Sequence, residues 1–149
     1  MRKINYIVVH CSATREGCTL TSEALEAEHR RRGFRTTGYH YYIRRDGTVL
    51  GTRSLELPGA HCRGHNKYSI GICYEGGLDA RGNPKDTRTP EQHSALHLLV
   101  YQLLQQFRNA RVCGHRDLSP DLDGDGTVEP WEWVKQCPCF EVSLSLIHI

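Results

Sequence analysis

The chain lacks the marks of several protein classes. Nothing in its 149 residues approaches the roughly 18 consecutive apolar residues of a membrane span. Charge of one sign is not in excess either: Lys+Arg 19 against Asp+Glu 17 leaves a formal charge of +2. A surface that neutralises many phosphates needs a far larger basic surplus, so a nucleic-acid partner is not expected. The local basic clusters, His29-Arg30-Arg31-Arg32 and Arg44-Arg45, read as solvated helix and turn faces. Two basic residues near the start precede only a short apolar run broken by Asn5, which reads as a strand and not as the core of an export signal. No CxxC pair is present, and a purely structural zinc domain would want four tight ligands.

What is there fits one domain. A chain of this length buries about 68–70% of its unfolded surface and needs no disulfide staple. Seven cysteines, at positions 11, 18, 62, 73, 113, 137 and 139, form an odd set. Reduced thiols with one metal ligand among them fit that set better than a disulfide framework, with room for one bridge in an oxidising compartment.

Ile4 to Val9 is a β-branched run that predicts a central strand. Thr19 to Phe34 predicts a helix, with Thr21 or Ser22 as cap, Leu25 and His29 four apart, and Gly33 as stop. Tyr39 to Ile43, the turn Arg45-Asp46-Gly47-Thr48, and Val49 to Thr52 predict a strand pair. Ser69 to Tyr74 predicts another buried strand, and the Gly-, Asp- and Pro-rich stretch from Gly77 to Pro90 an exposed loop. Thr89-Pro90-Glu91-Gln92 offers a capping box with proline at the first helical position. Leu96, Leu99, Val100, Leu103, Leu104 and Phe107 then extend a helical stripe, so residues 90 to 108 predict a helix. Arg111 to Cys113 predicts a brief strand, whereas Arg116 to Pro120 does not read as a helix. The interleaving predicts an α/β single domain over residues 1–142, a central mixed β-sheet flanked by helices. Residues 143–149 show no turn chemistry and no motif, and are expected to be a non-native tail.

The chemistry-bearing residues are scattered. His10 ends the first strand, His115 sits in Gly114-His115-Arg116-Asp117, and Cys137 in Lys135-Gln136-Cys137-Pro138. Two imidazoles and a thiolate are three ligands for zinc (Zn2+), leaving the fourth tetrahedral position open to water, as in catalytic sites. Taken singly, each is more often a core histidine or a packed cysteine.

The order of several segments is more specific. Val9-His10-Cys11-Ser12-Ala13-Thr14, Gly38-Tyr39-His40-Tyr41, Arg45-Asp46-Gly47-Thr48-Val49, Ser69-Ile70-Gly71-Ile72-Cys73, Gly114-His115-Arg116-Asp117 and Cys137-Pro138 follow one another in this chain. Together, from about Lys3 to Phe140, they resemble type 2 N-acetylmuramoyl-L-alanine amidases, in particular the phage lysozyme-type group, and more distantly animal peptidoglycan recognition proteins. The resemblance implies an amidase/peptidoglycan recognition protein-like fold, zinc on His10, His115 and Cys137, and a catalytic pair Tyr39 and Lys135. It selects Cys137 over Cys139, because the family places proline directly after the ligand. His40 and His61 are candidates to support the ligands or line a substrate cleft, with ordinary hydrogen-bonded histidines as the alternative. Asn66 and Ser69 are candidates to line or brace that cleft, against simple loop capping.

The implied activity is hydrolysis of the amide between N-acetylmuramic acid and L-alanine of peptidoglycan; the alternative is a non-catalytic peptidoglycan-binding module. The expected setting is a monomer made in the bacterial cytoplasm without a signal peptide. It would reach the wall by phage-type release or serve in recycling.

Between His115 and Cys137 the chain departs from the family pattern. Residues 121–132 carry Asp121, Asp123, Asp125, Glu129 and Glu132 at loop positions 1, 3, 5, 9 and 12, with glycine at 6 and Thr127 offering its carbonyl at 7. This EF-hand-like insertion predicts a calcium (Ca2+) site on Asp121, Asp123, Asp125, Thr127 and Glu132. The competing expectation is an acidic Asp-Gly turn.

Overall fold

Ile7, Val8 and Val9 are fully buried because the first strand, β1 (Tyr6–Cys11), has parallel neighbours on both sides. In the computed structural model, which describes residues 2–130, 133 and 135–146, β1 continues two residues past the predicted end and so carries His10 inside the sheet. A two-residue strand, β2 (Thr14–Arg15), follows, and then helix α1 (Ser22–Arg31), shorter than predicted. Thr21 caps α1 by accepting the Ala24 amide at 3.1 Å. Its four-residue spacing buries Leu25 and His29 and leaves the basic end outside.

β3 (Tyr41–Ile43) and β4 (Val49–Gly51) form the expected antiparallel pair. β5 (Ser69–Tyr74) has the predicted bounds and is buried throughout. β6 (Gly77–Leu78) pairs in parallel with β2, so the stretch expected to be a loop begins with a strand and a buried Gly77. α2 (Pro90–Gln106) carries the full capping box: Thr89 Oγ1 accepts the Gln92 amide at 3.1 Å, and Gln92 Oε1 accepts the Thr89 amide at 3.0 Å. Gln92 Nε2 also donates to the Glu75 carbonyl at 2.9 Å, so the same residue ties the helix start to the end of β5.

β7 (Arg111–Gly114) completes a five-stranded mixed sheet of order β4-β3-β5-β1-β7, in which only the β3–β4 pair is antiparallel. His115–Leu118 forms a 3-10 turn where no helix was expected. The last element, α3 (Val142–Leu146), overlaps the segment read as a tail. It packs on β7, buries Val142, and its Ser145 Oγ accepts Arg88 Nη1 at 3.1 Å.

The two-residue period of the strands sorts the sheet into two faces. Ile7, Val9, Ile43, Ile70, Ile72 and Tyr74 join Leu96, Leu99, Val100 and Leu103 of α2 in the main core. Burying one such leucine or isoleucine contributes about 1.5–3 kcal/mol. The opposite face packs Tyr42 and Cys73 on Leu25 of α1. His10, whose register partner is Cys73, belongs to this second face. No helix among the described residues is long and apolar enough to cross a membrane.

Candidate active site

Three distant segments converge at the end of β1. Ligand atoms of His10, His115 and Cys137 all lie within 4.8 Å of one another. β1 supplies His10, the turn after β7 supplies His115, and the segment before α3 supplies Cys137. The strand register makes this possible: β1 and β7 run parallel with Val9 opposite Gly114, so both strands release their next residue at the same edge.

The Cys137 segment is fastened by backbone geometry. The Arg116 amide donates to the Cys137 carbonyl at 2.8 Å, and the Tyr74 hydroxyl donates to the Pro138 carbonyl. Gly114 permits the approach, since a Cβ there would lie 2.6 Å from Pro138 Cδ. The Asp117 carboxylate accepts the Gly114 amide at 2.8 Å, which fixes the turn that presents His115. The Cys11 amide donates to Cys137 Sγ at 3.2 Å, which fixes the direction in which the sulfur points.

His10 is 1% exposed. Burial, followed by the neighbouring His61 and His115 imidazoles and the Lys135 ammonium, pushes its pKa well below the ordinary value, so the ring is neutral as a ligand must be. Its Nε2 lies 2.8 Å from His61 Nδ1, and His61 Nε2 lies 3.2 Å from Ser69 Oγ. His61 is likewise pushed down, to about 3, by burial and then by His40 and His115. Asn66 Oδ1 accepts the amides of both His61 and Cys62, at 3.0 and 2.9 Å, and so holds the loop that carries this imidazole.

Tyr39 stands with its ring 5.1 Å from His10 and 5.4 Å from His29. Its carbonyl accepts the hydroxyls of Thr37 and Thr52 at 2.9 and 2.7 Å, which anchors the residue. Burial, then the Cys73 and Cys137 thiols, raises the phenol well above its usual value. The phenol therefore stays protonated near neutral pH. Lys135 is exposed and lines the same cleft as His115 and His61, a cavity of about 960 Å³ with Arg32 and Arg63 on its walls.

Not every sequence candidate meets the cleft. His40 is fully buried; its Nδ1 accepts the Gly71 amide at 3.0 Å and its Nε2 pairs with the Leu57 carbonyl at 2.8 Å. It braces β5 and the 57–61 loop and packs its ring 5.9 Å from that of His61, and it is not among the residues that line the cleft. Ser69, equally buried, supports His61 instead of facing substrate. Two contributors were not singled out from sequence. Cys11 gives its amide to Cys137, and Asp117 caps the His115 turn; the Gly-His-Arg-Asp spacing carried the signal for the second.

The acidic loop lies apart from this cluster. Asp121, Asp123 and Asp125 bring carboxylate oxygens within 4.8 Å of one another, and all three residues are exposed. Their oxygens accept loop amides: Asp121 from Gly124 and Gly126, Asp123 from Asp125, and Asp125 from Thr127. Glu132 lies outside the described residues. An Asp-Gly turn makes the same bonds without an ion, and calcium gains no support from them.

Comparison with known proteins agrees with the fold and the motif order. An endolysin of Klebsiella phage KP32 is 37% identical over 134 residues, covering 90% of this chain and 88% of that protein. The endolysin of Escherichia phage T7 is 34% identical over 129 residues, covering 87% and 85%. Among solved structures, the N-acetylmuramoyl-L-alanine amidase LysC from Clostridium intestinale superposes with a TM-score of 0.71 at 27% identity, covering 92% of this chain and 77% of that one. Bumblebee PGRP-SA, at 22% identity and the same TM-score of 0.71, shares the fold. The family model described as N-acetylmuramoyl-L-alanine amidase matches residues 1–138. This chain belongs to the N-acetylmuramoyl-L-alanine amidase family.

Proposed function

We propose that the protein is a zinc-dependent peptidoglycan amidase that hydrolyses the bond between the lactyl group of N-acetylmuramic acid and L-alanine of the stem peptide. The observation that carries this is the convergence of His10, His115 and Cys137 from three segments. The donor set fits zinc: two imidazoles, one of them held neutral by burial, and a thiol that receives a backbone amide. Held by His10, His115 and Cys137 with one position open, a zinc ion would lower the pKa of water to near 7 and serve as a Lewis acid for an amide carbonyl.

The chain's own groups do the rest. His61 orients His10, and Ser69 orients His61. Lys135, on the cleft wall, offers an ammonium to the oxygen that gains charge, and Tyr39 offers a neutral phenol as a second donor; one well-placed donor is worth roughly 3–4 kcal/mol in acyl-transfer sites. The cleft is large enough to admit a glycopeptide and opens beside His115. Relatives named endolysins favour a phage-type lytic role at the cell wall.

A second proposal, binding of peptidoglycan without turnover, is favoured by relatives named peptidoglycan-recognition proteins, one of them from Drosophila melanogaster at 28% identity. Against it, binding alone requires no metal with an open position. Incubating zinc-loaded protein with peptidoglycan and measuring released stem peptides separates the two: release supports the amidase, and bound but intact material supports the binding module.

A further inference from the structure

A pair of thiols lies beside the ligand cluster, and neither sulfur belongs to it. Cys11 ends β1 and Cys139 follows Cys137 by two residues; their Sγ atoms stand 3.9 Å apart across 128 positions of sequence. Both are free thiols, Cys11 buried and Cys139 partly exposed. Cys139 has φ of 71°, the left-handed region that favours glycine, yet a thiol-bearing residue occupies it. Its amide donates to the Gln136 carbonyl at 2.7 Å, closing the tight turn that carries the side chain to β1. Gly77 backs the pair: a Cβ there would lie 2.5 Å from Cys11 Sγ and 3.8 Å from Cys139 Sγ, so both sulfurs rest on bare backbone. An S–S bond of about 2.05 Å requires the sulfurs to close by roughly 1.9 Å, within the reach of side-chain rotation.

We propose that Cys11 and Cys139 are a disulfide-forming pair in an oxidising environment, and that the bond fastens the segment carrying Cys137 to the strand carrying His10. The oxidant is a low-molecular-weight disulfide such as oxidised glutathione. One cysteine thiolate attacks it, forming a mixed disulfide and releasing one glutathione thiol; the second cysteine then displaces the other. The protein gains one S–S bond and loses two electrons and two protons, which leave on the two glutathione thiols. Cys137 takes no part in the exchange. The bond closes a loop that spans most of the chain, where restriction of the unfolded state is greatest.

The test uses the zinc-loaded full chain with oxidised glutathione, peptide mapping without reductant, zinc analysis and thermal unfolding. The expected result is a cross-link between the peptides carrying Cys11 and Cys139, unchanged zinc content, and a Tm raised by about 5–10 °C that reductant reverses. Cys139→Ser should abolish the cross-link and the rise in Tm while retaining zinc, and Cys18→Ser, at an exposed site, should keep both. Glutathione adducts without a bridge, a bridge that includes Cys137 with loss of zinc, or a bridge without the rise in Tm would overturn the proposal. Mass and stability are the readouts, so the outcome is independent of amidase activity.

Discussion

His61 Nδ1 lies 2.8 Å from His10 Nε2, and Gly71 is what lets the two rings meet. A Cβ at Gly71 would stand 2.7 Å from two carbon atoms of the His61 ring. Gly71 is the register partner of Val8, on the same face of the sheet as His10. The bare backbone of β5 thus makes the floor on which His61 lies. His61→Ala should weaken zinc affinity by about 10–100-fold while the fold persists. Gly71→Ala should do the same by displacing the ring, with an added loss of stability. Zinc titration by competition with a chelator checks both; unchanged affinity in both variants would deny His61 any supporting role.

Cys137→Ala should abolish stoichiometric zinc binding and activity, since it leaves two ligands. Cys139→Ala should keep both, because Cys139 Sγ contacts Cys11 and is not among the clustered ligand atoms. Metal analysis of the two purified variants decides the matter, and the reverse pattern would reassign the ligand.

Tyr39→Phe and Lys135→Ala should each lower kcat by about 10²–10³ with a smaller change in KM, as expected for donors that act mainly on developing charge. Neither should change the zinc content. Because burial raises the Tyr39 phenol, its loss should not appear as a titration near neutral pH. A Tyr39→Phe variant with full kcat would remove the phenol from the mechanism.

Glu75 gives a test of the fold away from the site. Its side chain is 1% exposed and accepts the Leu20 amide, Arg44 Nε and the Arg45 amide at 2.7, 2.9 and 2.9 Å. Burial by itself would raise this carboxyl, but the three donors more than offset it and hold it below the usual carboxylate range. Its contribution is therefore complete above an unfolded pKa of about 4.3 and is lost as pH falls through the lower folded value. Glu75→Gln should cost about 2–3 kcal/mol at pH 7. Denaturant unfolding of both proteins should show the gap narrowing below about pH 4. A constant gap would locate the effect in packing.

Where local chemistry decided the outcome, the sequence was legible. The bounds of β5 and the start of α2 follow from an apolar run and a capping box whose two hydrogen bonds are both made. His10, His115 and Cys137 were legible as a set only through motif order, since nothing local links residues so far apart. The support beneath them was not legible. That Asn66 holds the His61 loop while His40 serves the backbone depends on how the segments before β3 and β5 settle together against Gly71, a tertiary arrangement with no local signal. Helix α3 was missed for a related reason: its sequence lacks caps, and packing on β7 stabilises it.

The most direct test is mass analysis of the products from a defined N-acetylmuramoyl peptide incubated with the zinc-loaded protein. The account predicts two products: the intact sugar with its lactyl carboxylate freed, and a peptide beginning with a free L-alanine amine. An intact muropeptide after long incubation with stoichiometric zinc, or cleavage at any other bond, would contradict it.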